Sequence, residues 1–170
     1  MIKVQDNFLT EDELKALQDI LLGHDFPWYF NNRTTLAGEH DLNDFQMIHA
    51  FYLDGKNFGF IHSEYFKHIE PLLKKLGGKV LIRAKANLRT IAPKPHMVTG
   101  YHSDCALNCD TSIFYVNSNN GYTLFEKTKE KIKAIENRMI TFPSHLKHCG
   151  VSCTDQSKRV VINFNLIKDN

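Results

Sequence analysis

Hydrophobic and polar positions alternate with period two along Arg159-Val160-Val161-Ile162-Asn163-Phe164-Asn165-Leu166. Successive residues of a strand point to opposite faces. Val160, Ile162, Phe164 and Leu166 therefore make one wholly apolar face, and Arg159, Val161, Asn163 and Asn165 make the other. The apolar face belongs against a core. The polar one, carried on a run of β-formers, suits the wall of a cavity. Arg83 to Arg89 repeats the pattern, with Ala84, Ala86 and Leu88 alternating with basic and polar residues. That polar face either meets solvent or presents Arg83, Asn87 or Arg89 to substrate at a barrel mouth.

Near the N-terminus the period becomes helical. Thr10 and Glu13 form a capping box, and Leu14, Leu17, Ile20 and Leu21 follow at helical spacing as far as Gly23. Lys3 to Leu9 reads as a short strand, residues 24–45 as a long loop that can form a lid, and Phe45 to Leu53 as a strand before a turn at Asp54-Gly55. Ser63 caps a second helix towards Leu76, which Pro71 breaks or restarts and Gly77-Gly78 ends. From Lys79 onward the chain is β-rich: Gly100 to His102, Thr111 to Asn117, Thr123 to Glu126, Ile132 to Ile135 and Met139 to Phe142 are expected strands, and Asn120-Gly121 a hairpin turn. Many short strands joined by turns favour a sandwich or barrel. The expectation is one domain over residues 1–170, with a helical part at 1–78 and a barrel core at 79–168.

Composition narrows the function only by exclusion. The chain has 170 residues, 42% of them hydrophobic, enough for one sizeable core. A net charge of +2 and a pI near 8.3 are too mild to signal nucleic acid. No apolar stretch is long enough to span a membrane, and Met1 to Asp6 lacks the apolar run of a secretion signal, so a cytoplasmic protein is expected.

The chemistry lies in His102-Ser103-Asp104, followed by His148 and Arg159. Two residues apart on a strand, His102 and Asp104 reach one metal ion from the same face. A distant histidine completes two histidines and one carboxylate with the opposite side open, as suits non-haem Fe(II). His148 lies eleven residues before Arg159, and His145 fourteen. The planar fork of Arg159 suits a carboxylate through two parallel hydrogen bonds.

These residues carry a resemblance. YHSD at 101–104, SIFYVNSNNGYTLFE at 112–126, FPSHLKHCG at 142–150 and RVVINFNL at 159–166 resemble the Fe(II)/2-oxoglutarate-dependent dioxygenases in their prolyl-4-hydroxylase-like branch. VQDNFLTEDELKALQ and FPWYF (26–30) extend the likeness to the short single-domain oxygenases of marine bacteriophage genomes. The resemblance implies a double-stranded β-helix (jelly-roll) barrel, mainly β, with N-terminal helices packed on one sheet. It also implies Fe(II), 2-oxoglutarate and O2, with decarboxylation to succinate and CO2 coupled to hydroxylation of a C–H bond. The family's spacing favours His148 over His145 as the third ligand. It places Tyr115 at the far carboxylate beside Arg159 and Thr123 in the pocket wall. The tyrosine that many prolyl hydroxylases carry upstream of HxD has no counterpart near Ala92, so Asn87 or Arg89 is the candidate second contact. Asp104 occupies the position that related halogenases leave empty, which argues against halogenation.

The expected substrate is peptidyl, of prolyl type, with the rings of Phe26, Trp28, Tyr29 and Phe30 in support. A nucleic-acid or small-molecule oxygenase of the same superfamily is the alternative, although Asn165 stands where nucleic-acid demethylases carry a second arginine. A non-catalytic metal-binding module is a third reading. Cys105, Cys109, Cys149 and Cys153 form two C-x3-C pairs that can gather zinc, but read more simply as buried small hydrophobes. Among the remaining histidines, His96 falls in the loop before the metal strand, where it can reach the lip of the site.

Overall fold

A computed structural model describes residues 1–33, 45–55, 59–77, 80–92, 100–105 and 108–167. In chain order the elements are β1 (Lys3–Gln5), α1 (Glu11–Leu21), β2 (Tyr29–Asn31), β3 (Gln46–Gly55), β4 (Gly59–His62), a 3-10 turn (Glu64–Ile69) and α2 (Glu70–Leu76). Then follow β5 (Val80–Thr90), β6 (Asp110–Tyr115), β7 (Tyr122–Phe125), β8 (Lys131–Lys133), β9 (Arg138–Pro143), β10 (His148–Val151) and β11 (Lys158–Ile167). Local signals set several of these limits. The Thr10–Glu13 capping box starts α1. Ser63 caps the 3-10 turn, Pro71 sits in the first turn of α2, and Gly77 closes that helix at φ 63°, a conformation glycine adopts without a Cβ clash.

The strands form two antiparallel sheets. The large one runs β1-β9-β6-β11-β5-β3-β2, with β4 also on β3, and the small one runs β10-β7-β8. β11 is central, pairing with β5 on one side and β6 on the other. Its outer face (Val160, Ile162, Phe164, Leu166) joins Ala84, Ala86, Phe114 and the helix residues Leu17, Leu21 and Leu72 in the main core. The helices thus cover one face of the large sheet. On the other face, Ile113, Tyr115 and Val161 pack with Phe125, Ile132 and Phe142 between the sheets. This is the double-stranded β-helix arrangement, and the alternation in β5 and β11 decides which residues enter the barrel.

Three local expectations differ from the structure. Asn120-Gly121 does not close a hairpin: β6 lies in the large sheet and β7 in the small one, so these residues carry the chain between sheets. The local turn signal is sound, but a turn dipeptide does not specify which sheet the next strand joins. Asp54-Gly55 stay within β3, pairing with Phe60 and Gly59. Only His102 of the HxD pair is in a β-bridge; the Asp104 amide leaves the ladder to donate to the Ser144 carbonyl (3.3 Å). Most of the loop that could form a lid (34–44), and His96 with Pro93 and Pro95, lie outside the described residues. Among the described residues no helix is long and apolar enough to cross a membrane.

Candidate metal centre and co-substrate pocket

His102, Asp104 and His148 present one ligand atom each, all within 4.8 Å of one another. His148 leads β10, and its backbone pairs with that of His102 in a single antiparallel bridge. The Nδ1 of His148 lies 3.0 Å from the Leu146 carbonyl. As a donor to that oxygen it leaves Nε2, with its lone pair, aimed at Asp104. The two Nε2 atoms lie 3.5 Å (His148) and 3.8 Å (His102) from separate oxygens of the Asp104 carboxylate. His145 is exposed and takes no part.

Asp104 is steered from the opposite wall. The Arg83 guanidinium on β5 donates to its Oδ1 at 2.9 Å, while Oδ2 is buried without a hydrogen-bond partner. A buried carboxylate oxygen is costly to leave unpaired, and this one faces the His148 Nε2, while Oδ1 lies between Arg83 and the His102 Nε2. Cis donors on a metal with bonds of about 2.1 Å stand roughly 3 Å apart, close to what these side chains present. The donor set fits an octahedral divalent iron with one face open. Burial and the neighbouring His148 push the His102 imidazole down to about 4, so it is neutral and able to ligate at pH 7. Burial alone would raise the Asp104 carboxyl, but Arg83, His148 and His102 outweigh it and hold it below the usual carboxylate value.

The triad opens into a cavity of about 380 Å³ whose wall includes Asn87, Arg89, Thr123, Arg159 and the apolar Ile113 and Val161. Arg159 is buried, its Nε has no partner, and burial pulls its pKa down. Its guanidinium sits 5.7 Å from the Tyr115 ring centre. Tyr115 is fully buried behind Thr123, to whose Oγ1 its hydroxyl donates at 2.7 Å. Thr123 is the member of that pair that reaches the cavity. Gly121 makes room for Arg159: a Cβ there would stand 2.8 Å from Arg159 Cδ and 2.7 Å from the Val151 carbonyl oxygen. Asn87 Oδ1 is another buried acceptor without a partner.

No protein-family model matches this sequence, and no curated protein matches it at a significant level. Solved structures do. A 2OG-Fe(II) oxygenase family oxidoreductase from Burkholderia pseudomallei superposes with a TM-score of 0.70 at 13% identity, over 99% of this chain and 86% of that one. The fold is that of the 2-oxoglutarate- and iron-dependent oxygenases. A Trichoplax adhaerens prolyl hydroxylase, in complex with a hypoxia inducible factor oxygen degradation domain peptide fragment, gives 0.62 at 17% identity over 97% and 83%. The viral collagen prolyl hydroxylase of Paramecium bursaria Chlorella virus-1, in its 2OG complex, gives 0.57 at 13% over 99% and 96%.

Within this oxygenase fold the structure brings His102, Asp104 and His148 to one end of the cavity, and Arg159, Thr123 and Asn87 along its walls. Lys85 and Gln46 contribute without having been singled out from sequence, and Gly121, expected only as a turn residue, makes room for Arg159. Lys85 was legible in principle, since it shares the inner face of β5 with Arg83 and Asn87. A lone glutamine at a strand start carries no such signal. Among the described residues no cysteine joins a metal-ligating group, and none of the four is in a disulfide.

Proposed function

We propose that this chain is an Fe(II)- and 2-oxoglutarate-dependent dioxygenase that hydroxylates a C–H bond while 2-oxoglutarate is converted to succinate and CO2. One observation carries the reading: a two-histidine, one-carboxylate group and a buried arginine whose Nε has no partner among the described residues share a single cavity. In this reading His102, Asp104 and His148 hold the iron, which when bound supplies the activation of O2. Arg159 receives the far carboxylate of 2-oxoglutarate as a bidentate partner, with Thr123 beside it and Tyr115 fixing the Thr123 hydroxyl. Asn87 offers an amide to the co-substrate from β5. Arg83 holds one oxygen of Asp104 and so presents the other to the metal. Ile113 and Val161 line the wall with apolar surface, which excludes water and strengthens each polar contact made there.

The substrate in this reading is peptidyl, of prolyl type. A peptide occupies the Trichoplax neighbour, and Tyr29 and Phe30 on edge strand β2 expose 61% and 65% of their surface, as a peptide-docking face requires. The same reading makes the protein a cytoplasmic enzyme of bacteriophage type, acting in the host cytoplasm.

The test is succinate formation by anaerobically purified protein supplied with Fe(II), 2-oxoglutarate and O2, with Asp104→Ala as control. Succinate that depends on Asp104 is the expected result. If wild type makes none, calorimetry with Mn(II)-loaded protein decides: absence of 2-oxoglutarate binding there would overturn the enzyme reading in favour of a metal-binding module.

A further inference from the structure

The cavity carries more positive charge than the co-substrate uses. Arg83, Lys85, Arg89 and Arg159 all face it, and among the described residues of its wall Asp104 is the one acid. The register of β5 on β11 separates these cations. Arg89 lies opposite Arg159, whereas Lys85 lies opposite Asn163, four residues along. At about 3.3 Å per residue, that rung is roughly 13 Å from the one bearing Arg159. The far carboxylate of 2-oxoglutarate on Arg159 leaves Lys85 unmatched. Arg83, two residues further, reaches the metal triad through Asp104.

Lys85 makes no ion pair among the described residues, and it is held half-buried close to Arg83. Burial and that like charge pull its ammonium down to about 8, which leaves it mainly cationic at pH 7. Arg83 gives one nitrogen to Asp104, while its Nε is buried without a partner, as is the Asn163 amide oxygen. Two like charges held together away from water are stabilised by an anion that reaches both. Asp104 offsets the charge on Lys85 only in part: its Oδ1 is taken by Arg83 and also faces His102, and its Oδ2 faces His148.

We propose, resting on the oxygenase reading above, that the primary substrate presents an anionic group, carboxylate or phosphate, to Lys85 and Arg83 across from Asn163. The anion then anchors the substrate at the metal end of the cavity, with a C–H bond turned towards the triad, while the Arg159 end stays with the co-substrate.

Titrating the Zn(II)-loaded protein, saturated with 2-oxoglutarate, with inorganic phosphate and separately with acetate tests this by amide chemical shifts. The expected result is one saturable anion site that Lys85→Met weakens about tenfold or more and Lys85→Arg restores, with 2-oxoglutarate affinity unchanged in both variants. Tighter phosphate binding identifies a phosphorylated substrate, and tighter acetate binding a carboxylate. No saturable site, or a site indifferent to Lys85→Met, overturns the proposal. So does a Lys85→Met loss that falls on 2-oxoglutarate instead, because Lys85 is then a co-substrate contact. Failure of the underlying oxygenase reading looks different, since wild-type metal-loaded protein would then not bind 2-oxoglutarate at all.

Discussion

His102 and His148 exchange both hydrogen bonds of one antiparallel pair, the His102 amide donating to His148 (3.1 Å) and the His148 amide to His102 (2.9 Å). Directly opposed residues of such a pair project to the same face, which sets the ring centres 4.8 Å apart. Backbone pairing therefore pre-forms two thirds of the donor set, and the third donor is added by Arg83 and Ser144. His102→Ala removes a partly exposed ring and leaves the backbone pair in place. It should lower Mn(II) affinity by at least about 100-fold, more than loss of an outer-shell partner costs. The metal-free protein should melt within roughly 4 °C of wild type, the shift expected for about 1 kcal/mol in a chain of this size. Calorimetry and a thermal scan in chelator check both numbers, and unchanged Mn(II) affinity would remove His102 from the site.

Gly121 and Gly150 both flank Arg159, and their tolerances should differ sharply. A Cβ on Gly121 meets the Val151 carbonyl oxygen at 2.7 Å and Arg159 Cδ at 2.8 Å, whereas one on Gly150 meets Arg159 Nη1 at an ordinary 3.6 Å. Gly121→Ala must displace backbone or the arginine, at about 1–3 kcal/mol. Because Arg159 is the expected co-substrate anchor, 2-oxoglutarate affinity should fall about tenfold or more in Gly121→Ala and stay near wild type in Gly150→Ala. Equal effects from the two substitutions would show that Arg159 does not depend on this close approach.

Period-two alternation makes β11 and β5 legible in the amino-acid sequence, because β11 buries one face completely and β5 buries Ala84 and Ala86 with Leu88 half-buried beside them. Val160, Ile162, Phe164 and Leu166 are all buried, as are Ala84 and Ala86. The capping box at Thr10 and the Pro71 restart are legible because their signals are local too. β10 is not: His148-Cys149-Gly150-Val151 is short and lacks alternation, and its pairing with β7 is a long-range contact. The inter-sheet path of Asn120-Gly121 is hidden for that reason too. At the site, spacing from Arg159 separates His148 from His145, and burial distinguishes the same pair. The Arg83–Asp104 contact joins residues on facing walls, and nothing in either segment encodes it.

The cysteines should be silent towards alkylation at neutral pH, apart from Cys105. Cys109, Cys149 and Cys153 are buried, and Cys105 is half-buried. Burial raises Cys109 and Cys149 from an ordinary 9.0 to about 11, and Cys153 in the same direction. A raised thiol pKa keeps the unreactive protonated form to higher pH. Iodoacetamide at pH 8.5 should therefore modify Cys105 first, and all four only in denaturant. The sign for stability follows from proton linkage: the folded chain holds these protons where the unfolded chain has lost them. The contribution from Cys109 and Cys149 is full below pH 9 and is lost as pH climbs through 11. Mass mapping of labelled peptides reads the first outcome, and rapid labelling of Cys149 in native protein would contradict its burial.

Asn137 clips the N-terminal segment to the barrel, and its removal should be among the costlier single changes. Its amide nitrogen donates to the Leu9 carbonyl (2.9 Å), its amide oxygen accepts from the Leu9 amide (2.7 Å), and its own carbonyl accepts from Phe8 (2.9 Å). It also sits at φ 60°, where asparagine and glycine are tolerated and alanine is strained. Asn137→Ala adds about 1–2 kcal/mol of backbone strain to roughly 1–3 kcal/mol for leaving buried Leu9 groups unpaired. Asn137→Gly removes the side-chain bonds but not the compatible backbone, so it isolates the second part. Urea unfolding should rank the chains wild type, then Asn137→Gly, then Asn137→Ala, with unchanged slopes. A glycine variant as stable as wild type would mean that water replaces the Leu9 bonds at no cost, and that the clip contributes nothing to holding Phe8 and Leu9 in the core.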